Sequence, residues 1–296
     1  MQLDAAMRTN LTPRQFADAI GVSESSVKRW VDDGHIAATR TAGGHRRIAT
    51  HEAARYIRDH KSLVVRPEVL GLRDLAAFAA SGEAEDVSGA RLFEYLKAGA
   101  AAEARGLILS SYLDGRSIAE IVDGPLVHAM TRIGEAWVAS PSGIFWEHRA
   151  TQIAIQAVSR LRSLLEPPAD APVAVGGAPA GDRYLLPSLA VAAVLEGEGL
   201  RATDLGPETP MRVLALSVED LDARLVWLSV SAADDLVRLR REIDELLPTL
   251  AARDAILVVG GSQAPKLGLA KGEALYVGRS MGELEALVRG MRLARR

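Results

Sequence analysis

Cysteine is absent from all 296 residues. That excludes disulfides, thiolate metal sites and thiol catalysis, and it suits a reducing cytosol. No apolar run approaches the roughly 20 residues that span a bilayer. The opening MQLDAAMRTNLTPRQF has no apolar stretch behind basic residues of the kind a secretory leader needs. Histidine is one-sided: all six lie at or before position 148. No glycine spacing of the pyrophosphate-binding type is present, which speaks against a nicotinamide cofactor. No Ser-His-Asp or paired-carboxylate arrangement has local support. Asp234-Asp235 reads as an acidic pair at a helix start, where the dipole favours it. The expectation is a cytoplasmic protein, away from membranes, that is not an enzyme.

What is present is a long apolar chain with an uneven charge. Apolar residues make up 48% of it, enough to build cores for two or three domains. Residues 1–61 carry a net charge of +3 and the remainder −6. A basic head on an acidic body points to a polyanion that touches only the head.

The head divides into three short helical runs. In LTPRQFADAIGV, Thr12 is placed to cap a helix, Pro13 suits its first position and Gln15 completes a capping box. Phe16, Ala19 and Ile20 share a face, and Gly21 ends the run. Ser23 is placed to cap ESSVKRWVDD, in which Val27, Trp30 and Val31 face inward and Gly34 closes the helix. Two short helices about a glycine turn read as helix-turn-helix. Ser25, Ser26, Lys28 and Arg29 then face outward, toward phosphates and base edges, with Thr12 and Arg14 on the preceding helix. Gly43-Gly44 suits a hairpin tip that would carry Arg40, His45, Arg46 and Arg47, and Thr50 is placed to cap a third helix ending near His60.

Residues 66–168 follow a helical period, entered through the linker-like KSLVVRPEV. Helices are expected over 67–79, 88–113, 117–139 and 142–165, as a four-helix bundle, with Pro125 interrupting the third. Ile144, His148, Thr151, Ile155 and Val158 are spaced 4, 3, 4 and 3, which puts His148 on the buried stripe of the last helix beside Glu147. Trp137 ends the stripe of the preceding helix. Residue pattern alone leaves two readings open, a core histidine bonded to its neighbouring carboxylate or a site where Trp137, Glu147 and His148 converge.

Residues 169–296 alternate short buried-type strands (PVAVGGAP, LRATDLG, RLVWLSVS, AILVVGGS, and the shorter EALYVG) with helices. That pattern implies a doubly wound parallel sheet with its ligand crevice at the carboxyl ends of the strands. The fold class expected overall is multidomain α plus α/β: a winged helix-turn-helix head over 1–65, a four-helix bundle over 66–168 and a Rossmann-like α/β domain over 169–296.

The head resembles the winged helix-turn-helix of the MerR family of bacterial transcription regulators, through Lys28-Arg29-Trp30, Gly34 and Gly-Gly-His-Arg-Arg at 43–47. The resemblance implies binding to double-stranded promoter DNA as a homo-oligomer, a dimer or tetramer, here without the family's long coiled coil. Trp137 followed after nine residues by Glu147-His148 resembles the cobalamin-capping triad of the light-sensing MerR regulators of the CarH/LitR type. The order of bundle and α/β domain resembles the cobalamin-binding module of methionine synthase. That likeness implies that Ser229 lines a channel for the nucleotide tail of cobalamin and that Gly260-Gly261 match paired glycines of the module.

One loop departs from that pattern. The module's Asp-x-His-x-x-Gly supplies its lower cobalt ligand, but this chain has Asp182, Tyr184 and Pro187 in the Asp, His and Gly places. A phenol with a pKa near 10 is a poor cobalt ligand at neutral pH. Three readings follow: adenosylcobalamin held without a protein ligand to cobalt, another flat tetrapyrrole, or a module that has lost its cofactor and serves oligomerisation or protein contacts. The function expected is a transcription regulator, a repressor, whose assembly is set by the bundle and α/β module and which responds to ligand or light if a cofactor is held. A corrinoid carrier is the remote alternative.

Overall fold

A computed structural model describes residues 10–82, 86–139, 141–270, 272 and 274–291, with the side chains of 137–139 and 141 outside the description. The chain forms two compact units. One runs up to Ser117 and adds Gly124–Leu165, and the other joins Ile118–Asp123 to the chain from Glu166 onward.

The first unit opens with the head. Strand β1 (Asn10–Leu11) leads into α1 (Pro13–Ile20), where Thr12 and Gln15 form the expected capping box and Gly21 takes a left-handed turn at φ 71°. Ser23 caps α2 (Glu24–Asp32). Strands β2 (Thr39–Arg40) and β3 (Arg46–Ala49) make the wing, and β1 completes a three-stranded antiparallel sheet in the order β1-β3-β2. The tip turns at Gly44, whose N–H bonds to Thr41 O with φ 76°. Helix α3 (Thr50–His60) starts one residue earlier than expected. Its cap is Ala49, which brings no side-chain bond, so Thr50 is the first helical residue rather than the cap. The core is Phe16, Val27, Ile36, Ile48 and Ile57, all at or near zero exposure.

The stretch expected as a linker is tied down by backbone hydrogen bonds. The N–H groups of Val65 and Arg66 both reach Ala19 O, beside the helix-turn-helix turn, and Pro67–Leu70 forms a 3-10 turn against α1. Arg58 of α3 donates at 2.6 Å to the carbonyls of Tyr112 and Arg116 and lies 4.5 Å from the centre of the Tyr112 ring. These bonds hold the head to the helices that follow.

Those helices are α4 (Arg73–Ala80), α5 (Gly89–Ala98), α6 (Ala101–Leu113), α8 (Val127–Ala139) and α9 (Pro141–Arg162). Contacts run from α4 to α6 to α9 to α8 to α5. The single helix expected over 88–113 is broken in two, because Gly99 takes the left-handed conformation at φ 78° and stops α5. Short α7 (Ile118–Ile121) passes through a π-type turn at Val122–Leu126 that contains Pro125, the expected interruption. Helices α4 and α6 meet backbone to backbone at Gly106, where a Cβ would fall 2.2 Å from Asp74 O. Asp74 in turn accepts from Arg105 at 2.9 Å.

The second unit is a five-stranded, all-parallel sheet in the order β5-β4-β6-β7-β8. Its strands are β4 (Val173–Gly177), β5 (Arg201–Asp204), β6 (Leu225–Ser229), β7 (Ile256–Gly260) and β8 (Leu275–Val277). Val226, Leu228 and Val230 face α11 (Met211–Asp220) and α12 (Leu236–Ala251) in one continuous core. The alternate residues of β6 face α10 (Leu185–Gly197), which with α13 (Met281–Gly290) covers the other side. The doubly wound sheet expected from the strand-helix alternation is therefore present. Strand β4 lies between β5 and β6, so chain direction reverses at β4 and leaves the switch-point crevice at its carboxyl end. Asp123 belongs to this unit: its carboxylate accepts from the N–H groups of Met281 and Gly282 at 3.0 and 2.8 Å, capping α13. Among the described residues no helix is long and apolar enough to cross a membrane.

Gly106→Ala is expected to lower the stability of the first unit by about 1–3 kcal/mol, the cost of forcing a methyl into a packed contact. Urea unfolding followed by circular dichroism measures it, and an unchanged midpoint would refute the close contact of α4 with α6.

Candidate functional site

Two places in the chain have the composition of a site. In the head, the N-terminal turn of α2 is lined with serine hydroxyls. Ser23 Oγ accepts from the Ser26 N–H at 3.1 Å and lies 2.8 and 2.9 Å from Ser25 Oγ and Ser26 Oγ. Lys28, one turn on, is exposed and pairs with Glu24 at 2.9 Å on its own helix. Arg29 is exposed beside it, as is Arg14 on α1. Among the described residues Arg14, Arg29 and Arg47 form no ion pair, so their charge is available to a polyanion. Thr12 is engaged in its capping box, with its hydroxyl 3.1 Å from Gln15 Oε1.

The wing is held by a contact that residue patterns did not single out. Arg46 donates through Nε and Nη2 to Asp32 at the end of α2, at 2.7 and 2.8 Å from Nη2 to the two carboxylate oxygens. Arg40, its register partner, approaches the same carboxylate at 3.8 Å. Arg46 is therefore a strut between the wing and α2 rather than a free cation. Adjacent strand residues point to opposite faces, so Arg47 looks the other way. His45 is exposed at the tip. Trp30 stacks on Tyr56, which stacks on His60, with centroids 5.0 and 4.1 Å apart, and this column fixes α2 on α3.

Glu52, buried at 7% exposure, ties the start of the wing to α3. It accepts from the Ala37 N–H and from Arg55, whose Nη2 also reaches His35 O. Burial pushes its carboxyl up, but the Arg55 bond, the Ala37 N–H and the charge of Arg55 outweigh that and hold it below its ordinary 4.5.

In the helical body, Glu147 is half-buried and accepts from the Thr151 hydroxyl at 3.0 Å, and His148 Nε2 lies 3.5 Å from its second oxygen. The expected burial of His148 is corrected: its side chain is 76% exposed, and Ile144 is exposed too. The buried stripe of α9 runs instead through Ala150, Ile153, Ala154, Ala157 and Leu161. His148 lies two residues, about 200°, from that line. Trp137 lies on α8, but its side chain is outside the described residues, so the triad's third member has no contact to describe.

The second place is the carboxyl edge of the sheet. Asp182 has zero exposure, and its carboxylate is satisfied by backbone alone. Oδ1 accepts from the Tyr184 N–H at 3.0 Å, and Oδ2 accepts from Ser231 and Ala232 at 2.6 and 2.9 Å. Its own carbonyl accepts from the Glu208 N–H. The side chain thus ties the loop after β4 to the loop after β6, and the Asp182 carbonyl adds the loop after β5. Tyr184 stands 55% exposed as the cap residue of α10, and Pro187 sits in that helix's first turn, where the missing N–H costs nothing. Ser229 is buried at the end of β6. Gly260 and Gly261 serve backbone packing: the Gly260 carbonyl accepts from Val230 N–H, and a Cβ on Gly261 would lie 2.4 Å from Val230 O. Among the described residues no group of three or more His, Asp or Glu converges as a metal site.

Residues 11–61 match the helix-turn-helix domain family. No curated protein matches the chain in sequence. Among solved structures, the chain is similar to the monomethylamine corrinoid protein of Methanosarcina barkeri, with 15% identity over 68% of this chain and 97% of that one and a TM-score of 0.51. A cobalamin-binding protein from Desulfitobacterium hafniense DCB-2 aligns at 16% identity over 68% and 97%, with a TM-score of 0.35. The methanol:cobalamin methyltransferase complex MtaBC from Methanosarcina barkeri aligns at 14% over 68% and 79%, with a TM-score of 0.34. The first likeness carries a shared fold, and the other two superpose too loosely to add to it. The chain thus joins a helix-turn-helix domain to a body with the fold of a corrinoid protein.

Because the Glu52 carboxyl titrates lower in the folded head than unfolded, its stabilisation is present above 4.5 and is lost as pH falls through the lower folded value. Thermal unfolding across this range is expected to show a smaller loss of stability on acidification in Glu52→Gln than in wild type. Equal acid sensitivity would remove Glu52 as the titrating tie.

Proposed function

We propose that the chain is a DNA-binding transcription regulator of the MerR type, working in the cytoplasm as a homo-oligomer and acting as a repressor. The observation that carries this reading is the exposed face of α2. Among the described residues Arg29 has no ion pair beside a serine-lined helix N-terminus and Arg14 has none on α1, and the wing is fixed by Arg46 and Asp32. A helix N-terminus with hydroxyls and cations suits phosphate, and the following turns suit base edges in a major groove. Phosphate contacts carry most of such affinity and make it fall with salt. One head of about 50 residues buries little surface, so several heads gathered on a repeated element are needed for useful affinity. The helical body and α/β unit are the parts left to gather them. No catalytic step is assigned to the chain.

A second reading gives the body a light- or ligand-sensing role through adenosylcobalamin or another tetrapyrrole. It is supported by the corrinoid-protein fold and by the match of Trp137, Glu147 and His148. A corrinoid carrier is disfavoured by the DNA-binding head and by Tyr184 in the ligand position. The cobalamin reading and the cofactor-free reading call for different side chains at β4 and β6, and those present favour the second.

The test is a salt series of duplex binding on fragments that the full chain selects from a random pool. Wild type is expected to show a log–log slope of about −3 per head. Arg29→Ala is expected to reduce the slope by about one. Arg46→Ala is expected to weaken binding with the slope unchanged, because it positions the wing. Binding that does not respond to salt would refute the regulator reading, and a slope loss in Arg46→Ala equal to that in Arg29→Ala would refute its positioning role.

A further inference from the structure

The likeness to cobalamin modules calls for two things in the α/β unit: a ligand for cobalt in the loop after β4, and an open channel for the nucleotide tail beside Ser229. The residues present fit neither. The ligand position holds Tyr184, and no histidine or cysteine follows residue 148. The carboxylate of Asp182, two residues before that position, already accepts from three backbone N–H groups.

The sheet face beside Ser229 is packed. Trp227 lies two residues before Ser229 on β6, so both side chains project from the same face of the sheet, toward α10. The indole is 1% exposed. It lies against Gly176, its register partner on β4, so closely that a Cβ there would fall 2.2 Å from Trp227 Cδ2. Its Nε1–H donates at 2.9 Å to Ser188 Oγ on α10. Ser188 Oγ–H donates at 2.7 Å to Asp204 at the end of β5, and the same Asp204 oxygen accepts from the Gly206 N–H. The indole N–H and the Ser188 hydroxyl each have a partner, and the space between α10, β4 and β6 is occupied by side chain.

We infer that the α/β unit is a self-filled form of its fold that takes up no cobalamin, with the Trp227 indole standing where a nucleotide tail would enter and Asp182 stitching the crevice loops together. This rests on reading the unit as a corrinoid-type module, and it is independent of the head.

The full chain, incubated in the dark with a large excess of hydroxocobalamin or of adenosylcobalamin, is passed over a desalting column. Its absorption spectrum is recorded and its thermal midpoint is measured across cobalamin concentrations. The expected result is colourless protein with a midpoint that does not move. Corrin absorbance co-eluting near one per chain, or a midpoint that climbs with cobalamin concentration as linkage requires, would overturn the inference. The same preparation is assayed for salt-dependent duplex binding. A colourless sample that binds duplex comes from folded, active protein and supports the inference. A corrin-loaded sample that binds duplex overturns the inference and leaves the regulator reading standing.

Discussion

The contact of Trp227 with Gly176 is the constraint on which the α/β unit turns. An indole removes roughly 150–250 Å² of surface from water when buried, on the order of 5 kcal/mol at about 25 cal/mol per Å² as an upper bound. That gain is available only because Gly176 brings no side chain to the neighbouring strand. It also obliges α10 to place a hydrogen-bond acceptor over the ring, which Ser188 does, and Ser188 in turn leans on Asp204. Strands β4, β5 and β6 and helix α10 are thus tied by one buried group and its polar escort. Asp182 performs the equivalent task at the strand ends, holding three loops through backbone N–H groups. We infer that these ties close, with the chain's own atoms, the crevice at the carboxyl ends of the strands.

The head follows a different logic. Its core is small, and its shape depends on a few charged ties at the edges: Asp32 to Arg46 between α2 and the wing, Glu52 to Ala37 and Arg55 beneath the wing, and Arg58 to the carbonyls of Tyr112 and Arg116 behind it. Exposed ion pairs contribute little each to stability. Their effect is geometric, since they set the angle at which the unpaired Arg29 and Arg47 are offered. Arg58 and the hydrogen-bonded segment around Val65 carry the same rigidity into the helical body, so the orientation of the head within its unit is built in.

Much of this was legible from residue order, and the reason is locality. The capping box of Thr12 and Gln15, the left-handed glycines at 21 and 44 and the alternation of strand and helix after residue 169 all depend on neighbours a few positions away. What was illegible depends on distant partners or on helix phase. Gly99 breaks a helix inside an Ala-rich run where nothing local distinguishes it from a tolerated glycine. The 4, 3, 4, 3 spacing puts His148 on the buried stripe, whereas Ala150, Ala154 and Ala157 are themselves part of the packing surface of α9. Arg46 looked like a free cation until Asp32, fourteen residues earlier, was brought to it by the fold. The filling role of Trp227 had a signal in LVWLSVS: a large ring sharing strand parity with Ser229 must point to the same face. Its partners Gly176, Ser188 and Asp204 come from three separate stretches of the chain.

We propose a DNA-binding head joined to a body whose ligand crevice is closed by the chain's own residues. The most direct measurement is a binding isotherm of the full chain on a selected duplex, taken in the dark and after illumination, with and without adenosylcobalamin. Superimposable isotherms are the result that a closed body requires. A shift in midpoint or steepness on adding the corrinoid, reversed or enhanced by light, would contradict it.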